Sequence, residues 1–358
     1  MKPPLYLLLV TLMICRNGMA QSVLDPTDQV VSFGSGTVIA QPPFDQIGKW
    51  GRTRRVSWNT DSFKCYIYKG VAFRLRFPKT YHPISKGEAK YPLLIALHGV
   101  GEAGPVTDNE YQLFHGGDVM NAAVDSGIFE GYLLFMQSTG GWGQKHFELL
   151  KEIIDYMVVN NQLDPFRICV NGYSSGGFAS WDMSLAYPGY VSASLPISGT
   201  SFSFTSSGNV SLLKFKPIWN FQGALDAAPD AGTAHAVLNV FKSAGANLTY
   251  KEYDSLGHDC WDSAWKEPAF WPFVKGAYAS NPWALFGRTQ FPRDSVINCT
   301  IGVSPGYDEY QWRRNKMIIP GNGGNFIPVI QPGSYDCRVR KGNLWSVWSP
   351  VPVVISVM

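Results

Sequence analysis

Arg167-Ile-Cys-Val-Asn-Gly-Tyr-Ser-Ser-Gly-Gly-Phe178 is the stretch on which the reading of this chain turns. Residues 168–170 are an apolar run that predicts a buried strand, residues 172–176 a tight turn, and the segment running towards Tyr187 a helix. A serine at such a strand-to-helix turn is held out of the sheet, and flanking glycines let backbone and helix approach closely. That is how a Gly-x-Ser-x-Gly turn presents an attacking hydroxyl. The pentapeptide is not specific by itself, because Gly302-Val-Ser304-Pro-Gly306 matches it too. The residues around Ser304 have no helical period and Pro305 follows directly, so Ser304 reads as a loop residue and Ser174 as the nucleophile.

A serine hydroxyl is a weak nucleophile at neutral pH and needs a base oriented by an acid. On an open α/β sheet the chain order is Ser, then Asp or Glu, then His. Two histidines follow Ser174, His235 and His258. His235 falls in a helical pattern where Ala234, Leu238 and Phe241 share a face, and reads as a helix-surface residue. His258 follows a predicted strand (248–253) and a turn at Gly257, which is where the base belongs. For the acid, Pro217-Ile-Trp-Asn-Phe-Gln-Gly-Ala-Leu-Asp226 reads as a short strand broken at Gly223, with Asp226 just past its carboxyl end. Asp230 is the rival, and suits equally well the N-cap of the next helix.

An oxyanion hole completes the set. One donor is expected at the N–H of Ser175, after the nucleophile. The other is expected in a His-Gly turn after an earlier strand. Tyr91-Pro-Leu-Leu-Ile-Ala-Leu97 followed by His98-Gly-Val-Gly-Glu102 supplies that turn, with Val100 as the donor and Gly101 as the alternative. His98 precedes the serine, so it is assigned to bracing the loop rather than to catalysis.

The remainder of the chain gives the setting. Lys2, the apolar residues 5–14 and a small-residue end at Gly18-Met-Ala20 predict a signal peptide over 1–20 and an exported protein. That run is too short for a bilayer span, which takes about 20 residues. With 358 residues and a net charge of +3, nothing points to nucleic acid, to an acidic polymer or to a membrane. Residues 21–69 are an extension that adds edge strands at most, with a basic Arg52-Thr-Arg-Arg55 cluster read as a solvated face. From 70 to 281 strand and helix patterns alternate, which predicts a mostly parallel sheet with helices on both faces. Its clearest helix is 146–160, with Phe147, Leu150, Ile154, Met157 and Val158 as an apolar stripe. Residues 282–358 have short alternating runs and Pro/Gly turns. Cys299, Trp312 and Tyr335-Asp-Cys337 there follow the pattern of an immunoglobulin-like β-sandwich, with a Cys299–Cys337 disulfide predicted. Cys169 reads as a small buried apolar residue, and a Cys65–Cys260 link is left open. No cysteine or histidine falls at metal-ligand spacing, so no metal and no cofactor is expected.

These segments carry a resemblance. Residues 92–109, 164–178, 217–226 and 243–261 together resemble the secreted esterases related to polyhydroxybutyrate depolymerases and feruloyl or acetylxylan esterases, within the α/β-hydrolase superfamily. The resemblance covers about residues 70–280, implies Ser174, Asp226 and His258 as a triad, and favours Asp226 over Asp230. The chain departs from that family at Gln222, where a histidine is usual, and at Ala103, where an arginine is usual. Both positions are assigned to the mouth of the site, Gln222 as a substrate contact. Trp142, in Gly140-Gly-Trp-Gly143, matches a family tryptophan and is read either as a substrate contact or as packing. The residues after 281 resemble Ig-like modules appended to secreted enzymes.

The expectation is therefore a secreted serine carboxylic-ester hydrolase acting on small-molecule or polysaccharide-linked esters, acetyl or feruloyl by resemblance. A serine peptidase on the same fold, and a non-catalytic glycan-binding or adhesion protein, are the competing classes.

Overall fold

The computed structural model describes residues 56–82, 90–106, 109–321 and 323–358. The signal peptide, the basic cluster and most of the 21–69 extension lie outside the described residues, as does Asp108 of the 92–109 segment.

The first unit is an eight-stranded sheet with the order β1-β2-β4-β3-β5-β6-β7-β8. Its strands are β1 (Phe63–Tyr68), β2 (Val71–Arg76), β3 (Tyr91–Leu97), β4 (Tyr132–Met136), β5 (Leu163–Tyr173), β6 (Ala193–Ile197), β7 (Ile218–Gly223) and β8 (Leu248–Tyr253). The hairpin β1–β2 runs antiparallel and joins β4, while β4-β3-β5-β6-β7-β8 are all parallel. The sheet thus begins at Phe63, and its edge strand β1 lies within the 21–69 extension.

Every residue of β3 is buried. Alternation along it sends Leu93, Ile95 and Leu97 to one face and Leu94 and Ala96 to the other. A strand covered on both faces has no polar side to show, which is why its sequence is a continuous apolar run. The covering helices are α1 (Gly117–Asp125), α2 (Gln144–Asn160), α3 (Ser175–Ala186), α4 (Ser207–Leu213), α5 (Ala231–Ser243), α6 (Trp261–Trp265) and α7 (Phe270–Gly276). α2 and α3 close one face, and α1, α6 and α7 the other. α2 buries Phe147, Leu150, Ile153, Ile154 and Met157 at helical spacing. Each such side chain contributes on the order of 2 kcal/mol, and a charge at Ile154 would add the cost of burying it unpaired.

The chain then becomes all β: β9 (Trp283–Ala284), β10 (Gln290–Phe291), β11 (Cys299–Gly302), β12 (Glu309–Arg314), β13 (Met317–Ile318), β14 (Phe326–Val329), β15 (Gly333–Lys341), β16 (Leu344–Trp345) and β17 (Val353–Val357). These form a sheet β14-β11-β9 and a sheet β10-β17-β15-β12-β13 with β16 beside β15. Ile301, Ile327 and Val329 from the first share one core with Trp312, Cys337, Val339 and Ile355 from the second.

The predicted Cys299–Cys337 disulfide is not formed. Both residues are buried free thiols in this core, and burial pushes the Cys337 thiol well above its ordinary value. A protonated, water-excluded thiol packs as a small apolar residue. Cross-links of another kind hold the second sheet. Arg313 stacks on Trp348, Arg338 on both Trp348 and Trp345, and Arg340 on Trp345, with guanidinium carbons 4.2–6.0 Å from the ring centres. Arg313 also pairs with Asp336, and Arg338 Nε donates to Gln311 Oε1 at 2.8 Å. Arg338 and Arg340 share one face of β15 because side chains alternate along a strand.

The two units touch closely. A Cβ added to Gly189 would lie 2.1 Å from the Gly306 carbonyl oxygen, and one on Gly302 would meet the Phe215 ring at 2.6 Å. Ser304, the serine of the second pentapeptide match, is buried in the loop leading into this contact.

Candidate active site

β5 delivers Ser174 to the carboxyl edge of the sheet, where α3 begins at the next residue. Its backbone sits at φ 54°, ψ −122°. An L-residue held there is strained by about 1–3 kcal/mol and persists only when its surroundings enforce it. They do: Ser174 N donates to Ile197 O at 2.9 Å, and Gly177 N to Ser174 O at 2.9 Å. The flanking glycines are dictated by contact. A Cβ on Gly172 would lie 2.2 Å from Gly176 O, and one on Gly176 would lie 1.9 Å from Leu97 O.

His258, in the loop between β8 and α6, points its Nε2 at Ser174 Oγ, 2.8 Å away. Its Nδ1 lies 2.9 Å from Asp226 Oδ2. A carboxylate only accepts, so Nδ1 carries the proton and Nε2 is left free to accept from the serine hydroxyl. The Asp226 side chain is 1% exposed, and its Oδ1 also accepts from Ala228 N at 2.9 Å. The loops that carry Asp226 and His258 are pressed together, since a Cβ on Gly223 would lie 2.0 Å from Gly257 O. Ser198, at φ +48°, donates its hydroxyl to the His258 carbonyl at 2.7 Å and so fixes the base from behind.

Asp230 is elsewhere: it caps α5, accepting from Thr233 N at 2.9 Å. His235 lies on the surface of α5, 2.6 Å from Glu252 Oε2. Cys260 is a free thiol 3.3 Å from Ser198 Oγ, so the Cys65–Cys260 link does not form. Cys169 is buried, and burial raises its thiol to about 12.

Val100 opens a 3-10 turn (Val100–Glu102) after β3 and is well exposed, while Ser175 is the first residue of α3. First-turn N–H groups have no acceptor within their own helix, so neither amide has an intrahelical partner. The two donor segments are tied through one carbonyl. His98 O accepts from Trp142 Nε1 at 3.0 Å and from Ser175 Oγ at 3.4 Å. The His98 ring is buried beneath them; its Nε2 accepts from Ser138 N at 2.9 Å and its Nδ1 donates to Gly99 O at 2.6 Å. Burial holds this imidazole down at about 4, so it is neutral at pH 7. Trp142 is half-buried against the α2 face, its indole spent on the loop.

Gln222 does not sit at the mouth of the site as read from sequence. It is fully buried at the end of β7, behind the acid, and its Nε2 donates to Asp226 Oδ2 at 2.8 Å. One-residue alternation at the strand end decides whether a side chain faces substrate or the interior, and sequence gave no register there. Ser198 was missed altogether, because nothing in Ile197-Ser-Gly199 announces a left-handed backbone.

No family model matches the chain. A poly(3-hydroxyalkanoate) depolymerase C from Paucimonas lemoignei is 32% identical over 65 residues, which is 18% of this chain and 16% of that protein. Among solved structures, a thermostable esterase matches 61% of this chain and 64% of its own with a TM-score of 0.55 and 22% identity. A ferulic acid esterase matches 58% of this chain and 93% of its own, with a TM-score of 0.45 and 19% identity. The chain thus spans under two thirds of the depolymerase and of the thermostable esterase. The first unit has the α/β-hydrolase fold.

Proposed function

We propose that this protein is a serine carboxylic-ester hydrolase. The reading is carried by the unbroken line Ser174 Oγ, His258 Nε2, His258 Nδ1, Asp226 Oδ2, at 2.8 and 2.9 Å, on a strained strand-to-helix turn. Ser174 attacks the ester carbonyl while His258 takes its proton. The new oxyanion is received by the N–H groups of Val100 and Ser175, a contribution that commonly amounts to about 3 kcal/mol per donor. His258 then returns the proton to the leaving alcohol. A water, deprotonated by the same nitrogen, releases the acyl group from Ser174. Asp226 keeps the imidazole in the required tautomer and offsets its charge when protonated.

The local likeness to a polyhydroxyalkanoate depolymerase supports ester hydrolysis, and the sequence resemblance to feruloyl and acetylxylan esterases points to acetyl or feruloyl esters, small or polysaccharide-linked, as substrates. Export rests on residues 1–20, and no described helix is long and apolar enough to cross a membrane. The all-β unit is read as an immunoglobulin-like module. Trp312 pairs with Cys337 across the sheet, and the Tyr335 hydroxyl donates to Gln331 O at 2.8 Å, as a tyrosine corner does. Its role is read as that of a spacer or stabilising appendage, ahead of direct glycan binding.

The test is turnover of p-nitrophenyl acetate and methyl ferulate by the purified protein beside Ser174→Ala. Wild-type turnover reduced by several orders of magnitude in the variant is expected. Equal activity of the two proteins would refute the assignment of Ser174.

A further inference from the structure

Gln222 is the residue whose observed position the sequence did not suggest. Its amide nitrogen has two protons, and the structure uses both on the loop that carries the acid. Nε2 donates to Asp226 Oδ2 at 2.8 Å and to Pro229 O at 3.0 Å. The first acceptor is the same oxygen that receives His258 Nδ1. The second lies beyond the acid, so the amide staples the two ends of the turn that runs from Gly223 to Pro229. Meanwhile Gln222 Oε1 is buried with no hydrogen-bond partner. An unpaired acceptor in the interior is costly. A glutamine held there with its acceptor idle and both donors engaged is held for donating.

The geometry explains why a donor is needed. Asp226 hangs on a turn, past the end of β7, and its backbone N–H reaches only Gly223 O, at 3.2 Å. Ala228 N holds Oδ1 at 2.9 Å, and apart from the imidazole that the carboxylate has to orient, Oδ2 is held by Gln222 Nε2. Gln222 supplies the second point, and two points fix the plane of the carboxylate and aim Oδ2 at the imidazole.

We propose that Gln222 is a positioning residue for the acid of the triad, acting through Asp226 rather than on substrate. This rests on the serine-hydrolase reading above. Without the donor, Asp226 turns, the imidazole loses its fixed tautomer and orientation, and the serine is activated less often. Affinity for ligands in the cleft is untouched, because Gln222 is buried behind the acid.

The experiment is covalent labelling of Ser174 by a p-nitrophenyl alkylphosphonate, followed by intact-mass spectrometry, with kinact and KI measured separately. It needs no knowledge of the natural ester. Gln222→Met and Gln222→Leu keep the bulk and remove the donor; Gln222→His restores an N–H. Both donor-less variants are expected to show kinact lower by about ten- to a hundredfold, the effect of a misplacement of about 1 Å, with KI within about twofold. Gln222→His should recover most of kinact. Donor-less variants that label as fast as wild type overturn the proposal. So does an equal loss in Gln222→His, or failure of both donor-less variants to fold, which would make Gln222 a stability residue. Ser174→Ala, run in parallel, separates the two levels. If the reagent does not label wild type, or labels Ser174→Ala equally, the serine-hydrolase reading itself falls.

Discussion

His98 ties the acid stability of this protein to the loop that carries Val100. The ring is wedged between Ser138 N, which can only donate, and Gly99 O, which can only accept. Protonating Nε2 would set a donor against the Ser138 N–H inside the protein. Burial holds the folded-state value at about 4 against an ordinary 6.5. Between those values the unfolded chain binds a proton that the folded protein refuses. The contribution is therefore fully present above pH 6.5 and is lost as the pH falls towards 4. At about 1.4 kcal/mol per unit, this residue alone removes about 1 kcal/mol by pH 5.5 and about 3 kcal/mol by pH 4. The perturbation is His98→Gln, whose amide keeps an N–H donor group and an acceptor oxygen but does not titrate. Urea unfolding of both proteins at pH 7, 5.5 and 4 isolates the effect as the difference between their pH dependences. Wild type should lose about 3 kcal/mol more than the variant between pH 7 and 4. A difference below about 1 kcal/mol would refute the assignment of a neutral, proton-refusing His98.

Three further outcomes follow from the packing. Gly176→Ala puts a Cβ 1.9 Å from Leu97 O and should abolish folding or activity, whereas Gly140→Ala meets nothing within 4 Å and should be silent in thermal unfolding and turnover. Trp348→Ala removes the indole under Arg313 and Arg338 and should cost about 1–2 kcal/mol in urea unfolding; a change under about 0.5 kcal/mol would mean that these stacks do not hold the second sheet. Cys299 and Cys337 should both be alkylated in denaturant without reductant, and neither should react in the native protein; a disulfide-linked peptide pair in a non-reducing digest would contradict the free thiols.

Chemistry that is local in the chain was legible without coordinates. The continuous apolar run 91–97 read as a strand, and the structure buries it on both faces. The glycines at 172 and 176 marked a turn too tight for side chains. The order Ser174, Asp226, His258 offered a nucleophile, an acid and a base in the sequence that such sheets use. These signals survive in one dimension because each is a property of neighbouring residues or of chain order.

What the chain order left open was settled by contacts between distant segments. Asp226 and Asp230 are both acids past the same strand, and only the closure of Gly223 on Gly257 brings Asp226 to His258 while Asp230 turns away to cap α5. The inward register of Gln222 and the left-handed backbone at Ser198 depend on β7 and β6 being set in the sheet. The cysteine spacing suggested a bridge, but sulfur pairing depends on the separation and aim of two side chains from opposing sheets, and spacing along the chain determines neither. Residue types and their order determined the chemistry available to this protein. Tertiary packing decided which of the candidates meet, because hydrogen bonds of 2.8 Å are made between loops tens of residues apart.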